Sequence, residues 1–329
     1  MAELNNNTHH HSARLTRLAV VVPCYNEEEA LSFSLTKLLE LIDRMGEKQL
    51  IDAQNSCVVC SDDGSRDNTW GIISEFHARD PRVKGISLAH NRGHQYALLA
   101  GLLEALPLCD CAISIDADLQ DDPEVMVEMV ELFNNQGVEI VYGVRSSRAS
   151  DTWFKRSTAH AFYSFQRKMG LETIYDHADY RLMSARAIEL LAQYNESNLF
   201  LRGIVPQIGL KTATVTYTRH PRIAGESKYP LAKMLSFSVD GITSFTSRPL
   251  RLIFFVGIAL LVLDIAMSVY VFISYFGHDT IPGWTSLMLS VWFLGSLILV
   301  ALGVVGEYIG KIFNEVKNRP RFAIKEKIF

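Results

Sequence analysis

Between Leu18 and Val144, short runs of apolar, β-rich residues alternate with stretches whose apolar positions recur at helical spacing. The runs LAVVVP (Leu18–Pro23), CVVCSD (Cys57–Asp62), VKGISL (Val83–Leu88), CAISID (Cys111–Asp116) and EIVYGV (Glu139–Val144) predict strands. Helices are predicted between them over Glu27–Met45, Asp67–His77, His94–Ala105 and Pro123–Asn134. Asp122-Pro123-Glu124 has the chemistry of a helix start: a capping acid, a proline suited to the first turn and an acid at the positive dipole end. Strand–helix alternation of this kind predicts an α/β fold with a mainly parallel central sheet covered on both faces. After Val144 the pattern loosens. It predicts helices over Thr152–Met169 and Ala185–Tyr194 and a strand over Lys211–Thr218. Leu231, Met234, Leu235, Ile242 and Phe245 then share one helical face, as in a segment lying at a membrane interface.

Two longer apolar runs change the picture. Hydrophobic residues make up 48% of the chain, which is high for a purely soluble protein and directs attention to membrane spans. Leu252–Phe276 carries a single charge, Asp264, and Leu287–Gly306 carries none. Each meets the roughly 20 apolar residues that a bilayer core requires. Arg248 and Arg251 precede the pair, and Lys311, Lys317, Arg319, Arg321, Lys325 and Lys327 follow it, while the Gly277–Gly283 turn has no Lys or Arg. By the positive-inside rule both ends of the expected multi-pass protein lie in the cytoplasm. Asp264 within a span is expected to face protein rather than lipid. The expected organisation is a disordered tail over 1–16, a catalytic domain over 17–228 and an interfacial segment over 229–249. Two transmembrane helices over 250–310 and a basic tail over 311–329 complete it.

A net charge of −4 argues against nucleic acid as a partner. Cys57-x-x-Cys60 invites a zinc or redox reading, but positions 57 and 60 of one strand face opposite ways. All five cysteines, Cys24, Cys57, Cys60, Cys109 and Cys111, are therefore read as buried structural thiols.

Chemistry concentrates where an open parallel sheet binds its ligands, beyond the carboxyl ends of the strands. The first predicted strand ends in Pro23-Cys-Tyr-Asn-Glu-Glu28, the second in Asp62-Asp-Gly-Ser-Arg-Asp-Asn-Thr69 and the fourth in Asp116-Ala-Asp-Leu-Gln-Asp-Asp-Pro123. None has the glycine-rich turn of a dinucleotide site or a Walker loop. Asp116 and Asp118 form a carboxylate pair suited to a hard cation carrying a diphosphate. Asp121 and Asp122 are read as caps of the following helix.

These three elements, in this order and spacing, resemble glycosyltransferase family 2. Asn91-Arg-Gly-His-Gln-Tyr-Ala-Leu-Leu-Ala-Gly101, Asp179-Tyr-Arg-Leu-Met183, Asn198-Leu-Phe-Leu-Arg-Gly203, Arg222-Ile-Ala-Gly-Glu-Ser-Lys-Tyr229 and Gly306-Glu-Tyr-Ile-Gly310 narrow the resemblance to its polyprenyl-phosphate branch. That branch holds the bactoprenol glucosyltransferases and is related to dolichyl-phosphate mannose synthases. The resemblance implies a GT-A fold, a UDP-sugar donor, Mg or Mn, a polyprenyl phosphate acceptor such as undecaprenyl phosphate, and an inverting displacement. It carries Pro23, Tyr25, Glu27 and Asp63 over as donor-binding residues, and Asp116 as a ligand of ribose or metal. Asp118 and Gln120 would hold the metal. Arg145 and Arg156 match basic positions for the acceptor phosphate, and Arg202 joins them as a candidate because guanidiniums fit phosphate oxygens in pairs. Asp179 is the candidate for the chemical step, as general base or as a positioning group; the bland alternative is an acid paired with Arg181. His94-Gln95 departs from the Lys-Glu that many bactoprenol glucosyltransferases carry, so mannose, an N-acetylhexosamine or an aminoarabinose derivative stand beside glucose as donor sugars. The GxxxG-like Gly306–Gly310 and the resemblance make a homo-oligomer an expectation. Two other readings compete with this one. A processive polysaccharide synthase typically has a Q-x-x-R-W segment and further spans, and neither is found here. An inactive membrane scaffold fits poorly with intact acidic strand ends.

Overall fold

The computed structural model describes residues 14–145, 177–196, 199–218, 283–317 and 319–329, with single positions between 250 and 266. The five predicted strands form as β1 (Leu18–Cys24), β2 (Cys57–Asp62), β3 (Val83–Leu88), β4 (Cys111–Ser114) and β5 (Ile140–Arg145). The helices between them are α1 (Leu31–Glu47), α2 (Thr69–Arg79), α3 (His94–Ala105) and α4 (Val125–Gln136). Leu31, Leu35, Leu38, Ile42 and Met45 of α1 all lie in the core, the stripe that its apolar spacing predicts. Later elements are β6 (His177–Ser184), α5 (Ala185–Ala192), α6 (Leu201–Ile204), β7 (Thr212–Tyr217), α7 (Trp284–Val316) and β8 (Ile324–Ile328).

All eight strands belong to one sheet in the order β7-β5-β6-β4-β1-β2-β3-β8. Parallel pairing joins β1 to β2 and β4, β2 to β3, and β5 to β7. β6 inserts antiparallel between β4 and β5, and β8 runs antiparallel along β3. The sheet is thus mainly parallel but mixed. Chain order reverses on either side of β1, so a crevice opens between β1 and β4 at their carboxyl ends, the switch point where such sheets bind ligands.

β6 and β8 are absent from the reading of the sequence, for different reasons. β6 (HADYRLMS) buries Asp179 and Arg181, so it lacks the apolar run that marks an interior strand. β8 (IKEKI) is apolar only at its ends and charged between, the composition of a guarded sheet edge. It lies within residues 311–329, which were expected to be a basic tail. Instead Phe322 and Ile324 pack on Ile86, Leu88, Ala97 and Ala100. Trp70 Nε1 donates to Glu326 (2.7 Å), and Lys327 pairs with Glu104.

The chain divides into two compact units. One holds the described residues within Met1–Asp151, Thr173–Ser227 and Pro320–Phe329, and the other those within Thr152–Glu172 and Lys228–Arg319. In the second, α7 runs for 33 residues, longer than the expected span Leu287–Gly306. Its part Phe293–Val316 is long and apolar enough to cross a membrane, with mean hydropathy 1.9. The expected helix over Thr152–Met169 and interfacial segment over Leu231–Phe245 lie outside the described residues, as does most of Leu252–Phe276. Within that last run Ile253, Phe255–Gly257, Ala259, Val262 and Ala266 are helical.

Candidate active site

On one side of the crevice, the loops after β1 and β2 are laced together through side chains that accept backbone N–H groups. Asn26 Oδ1 accepts from Arg66 N and Ser65 Oγ from Asn26 N, both at 2.9 Å. Glu28 Oε2 accepts from Asn68 N (2.9 Å), and Asp67 Oδ2 accepts from Glu28 N (3.2 Å). Asn26 sits at φ +55°, a conformation that asparagine tolerates better than most residues. Pro23 is buried in β1 opposite Ser61, and Glu27 is half-buried with its N–H on Thr69 Oγ1 (2.9 Å). Tyr25 is 42% exposed, leaving an aromatic face on which a planar ring can stack. Asp63 is buried and directs Oδ1 and Oδ2 at Arg92 N and Gly93 N, each at 2.7 Å. These bonds hold the turn into α3, where Gly93 takes φ +94°, a backbone geometry open chiefly to glycine.

The motif that follows β4 forms the floor. β4 and β6 pair with Ser114 opposite Arg181, and the same antiparallel register carried two residues on brings Asp116 level with Asp179. His94, the first residue of α3, lies between them, its Nε2 3.8 Å from Asp116 Oδ1 and 3.6 Å from Asp179 Oδ2. Burial pushes the Asp116 carboxyl up from its usual range. His94 counters that, while Asp179, Asp121 and Asp118 add to it. Asp118 Oδ1 accepts from Gln120 N (3.2 Å), and Leu119 between them takes φ +44°, a strained geometry for leucine. Gln120 is buried, and its Nε2 has no hydrogen-bond partner among the described residues.

Beside this floor, acids meet arginines. Asp179 is buried. Its Oδ1 accepts from Arg181 Nη2 (2.5 Å) and Arg202 Nε (3.3 Å), and its Oδ2 from Arg202 Nη2 (3.0 Å) and Gln95 Nε2 (3.2 Å). Burial alone would raise its pKa, but Arg202, His94 and Arg181 together hold it well below the usual carboxylate range. Arg145, at the end of β5, reaches buried Asp121 (3.2 Å) and the Tyr217 hydroxyl (3.3 Å). Of the predicted pair of caps, Asp122 does accept from Glu124 N (3.0 Å), ahead of α4. Asp121 departs from that expectation: its carboxylate is buried against an arginine. Arg156 lies outside the described residues.

The candidate donor residues, Asp116, Asp118, Gln120, Asp179, Arg145 and Arg202 therefore all belong to the unit that contains the sheet. Arg181, His94 and Asp121 complete the ionic network. Arg181 is almost fully buried, which its place in a charged motif does not announce, and His94 stood out only as a departure from a pattern. The five cysteines are free and buried, as expected of structural thiols.

Residues 19–191 match the model of glycosyl transferase family 2, and residues 248–312 match that of the GtrB C-terminal hairpin. An uncharacterized glycosyltransferase of Bacillus subtilis (strain 168), YkoT, is 51% identical over 93% of this chain and 90% of its own. The SfII prophage-derived bactoprenol glucosyl transferase of Shigella flexneri is 36% identical over 94% of this chain and 98% of its own. A prophage bactoprenol glucosyl transferase homolog of Escherichia coli (strain K12) is 35% identical over 94% and 98%.

Proposed function

The chain belongs to glycosyltransferase family 2 and has its GT-A type fold, and from that premise we propose that it moves glucose from a UDP-sugar to a polyprenyl phosphate. The relatives named bactoprenol glucosyl transferase, similar over 94% of this chain, favour this donor sugar and this class of acceptor. The observation that carries the reading is the meeting of two kinds of charge in one crevice. Asp116 and Asp179 face each other across His94, and Arg145 and Arg202 flank the same floor.

In this reading Tyr25 stacks on the nucleotide base, while Pro23, Glu27 and Asp63 shape its pocket. Asp116, Asp118 and Gln120 fit a hard divalent cation, Mg or Mn. Among the described residues no three His, Cys, Asp or Glu side chains form a complete cage, as suits a cation that takes its remaining ligands from diphosphate and water. The unpartnered Gln120 amide gives a further polar end there, its oxygen and nitrogen being interchangeable by a flip. When bound, the cation neutralises charge on the departing nucleoside diphosphate.

The acceptor oxygen is a phosphate oxygen, ionised near neutral pH because the second phosphate pKa is about 6. It needs no general base, and Asp179 with its depressed pKa would be a poor one. Asp179 instead orients Arg202. That guanidinium uses Nε and Nη2 on the carboxylate, leaving Nη1 to meet the phosphate. Arg145 and Arg156 complete the acceptor clamp. An oxygen of the phosphate then attacks the anomeric carbon from the face opposite the diphosphate, with inversion.

The catalytic unit is placed in the cytoplasm, attached to a bacterial inner membrane by a two-helix hairpin, and the chain assembles as a homo-oligomer. A reporter at Asp279 is expected outside the cytoplasm and one after Phe329 inside. The deciding experiment incubates purified protein in lipid with a panel of UDP-sugars and undecaprenyl phosphate and weighs the lipid product by mass spectrometry. A hexosyl-phosphate lipid formed from UDP-glucose is expected. No lipid product from any donor would overturn the proposal.

A further inference from the structure

Gln95 stands at the second position of α3, and its side chain makes two contacts that no charged residue could make together. Its Nε2 donates to Asp179 Oδ2 (3.2 Å) on β6, and its Oε1 accepts from Leu201 N (3.0 Å), the first residue of α6. The next residue, Arg202, returns to the same carboxylate through Nε and Nη2. A closed circuit results: Gln95 to Asp179, Asp179 to Arg202, Arg202 through the chain to Leu201, and Leu201 back to Gln95.

An amide is both donor and acceptor, whereas a carboxylate only accepts and an ammonium only donates. Glutamate at position 95 could keep Leu201 N but would set a second negative charge against Asp179, and lysine could keep Asp179 but not Leu201. α6 is four residues long, too short to hold itself in place by its own hydrogen bonds. Arg202 is half-exposed and long, so its direction depends on what fixes the backbone beneath it.

We propose that Gln95 is a positioning residue whose amide, by tying Asp179 to the start of α6, sets the Arg202 guanidinium for the acceptor phosphate. The inference rests on the acceptor role given above to Arg202. It assigns Gln95 to the acceptor side of the reaction although the residue lies on the helix that follows a donor-side loop.

Two variants and two readouts test it. Gln95→Met keeps the length but removes both contacts, and Gln95→Glu keeps only the bond to Leu201. Hydrogen exchange without substrate, read on peptides covering 199–204, is expected to quicken roughly tenfold in Gln95→Met and far less in Gln95→Glu, with α4 unchanged. Unchanged exchange at 199–204 in Gln95→Met would overturn the tie to α6, whatever the reaction proves to be. In the transfer assay, both variants are expected to raise the apparent KM for undecaprenyl phosphate roughly tenfold and to leave that for UDP-glucose within about twofold. Equal shifts in both constants, or none, would overturn the acceptor assignment, since a residue that merely stabilises the fold would not separate them. If the wild-type protein itself transfers no sugar to the lipid, the functional reading fails, and the exchange result still decides the circuit.

Discussion

Acidic side chains on the two flanks of the crevice have opposite kinds of partner. After β1 and β2, Glu28, Asp62, Asp63 and Asp67 accept from backbone N–H groups, and two loops become one rigid wall. Around β6, Asp179 and Asp121 accept from Arg181, Arg202 and Arg145. A backbone amide committed to a carboxylate has nothing left to offer a ligand, whereas a guanidinium has five N–H donors and can serve a carboxylate and a phosphate together. The first flank is finished before any ligand arrives, and the second holds positive charge in readiness. Asp116 lies between them, 3.8 Å from His94 Nε2. The contrast fits the proposed division into a wall for the nucleotide and a clamp for the acceptor, with the proposed metal position at their boundary.

The sharpest way to break this division is at the boundary. Asp118→Asn should lower transfer by at least roughly 10²-fold, because the leaving diphosphate loses its compensating cation. Thermal unfolding should change little, since Asp118 is partly exposed and asparagine keeps the Oδ1 that accepts from Gln120 N. Full activity in this variant, or in excess chelator, would remove the metal from the boundary and leave the acidic floor unexplained.

On the arginine flank, Asp179→Asn should harm fold and rate together. It strips the counter-charge from buried Arg181, a loss of about 3–5 kcal/mol in comparable buried pairs. The pKa of Asp179 is depressed in the folded state, so its contribution is present above the unfolded value of about 3.9 and disappears as pH falls through the folded value. The melting temperatures of the wild type and Asp179→Asn should therefore approach each other only in acid. The rate deficit should be flat between about pH 6 and 9 for a positioning group. A deficit that shrinks as pH rises would make Asp179 the base after all.

That residue also shows where a single chain is readable and where it is not. The wall was legible because strand ends, turn residues and acids fall together within short segments such as Asp62–Thr69. The clamp is assembled from α3, β6 and α6, and its key carboxylate lies on a strand that carries charge where an apolar run would mark it. No periodicity announces such a strand. Asp179 stands out only through a family resemblance, and the circuit through Gln95 and Arg202 joins residues far apart in the chain. β8 escapes notice for a different reason: an edge strand defended by Lys325, Glu326 and Lys327 reads like a solvated tail.

Arg202→Ala and Arg145→Ala sharpen the comparison with a smaller effect. Each removes charge-assisted donors worth about 1.5–3 kcal/mol, so the apparent requirement for undecaprenyl phosphate should rise roughly 10- to 100-fold. The requirement for UDP-glucose should stay near the wild-type value. The Arg145 variant should also melt lower, because it leaves buried Asp121 without that guanidinium. A change confined to the UDP-glucose requirement would move these arginines to the other flank.

The mildest test is on the wall itself. Asp67 Oδ1 accepts from Thr69 N (3.1 Å) and Thr69 Oγ1 (2.6 Å), and Oδ2 accepts from Glu28 N (3.2 Å). Burial would raise its pKa, but these bonds outweigh burial and leave the carboxyl below its usual value. Asparagine can keep the Oδ1 bonds and must present an NH₂ toward Glu28 N, so one partially solvated bond is lost, about 1 kcal/mol at neutral pH. For an acid depressed by folding, this stability is present above the unfolded pKa near 3.9 and lost as pH falls through the folded value. The difference in melting temperature between wild type and Asp67→Asn should thus be small at pH 7 and close below about pH 4. Transfer should suffer through UDP-glucose, because the Glu28–Asp67 lacing holds the loop that carries Tyr25 and Glu27. A rise in the undecaprenyl phosphate requirement instead would mean that the wall and the clamp are not separate structures, and the division between the flanks would fall.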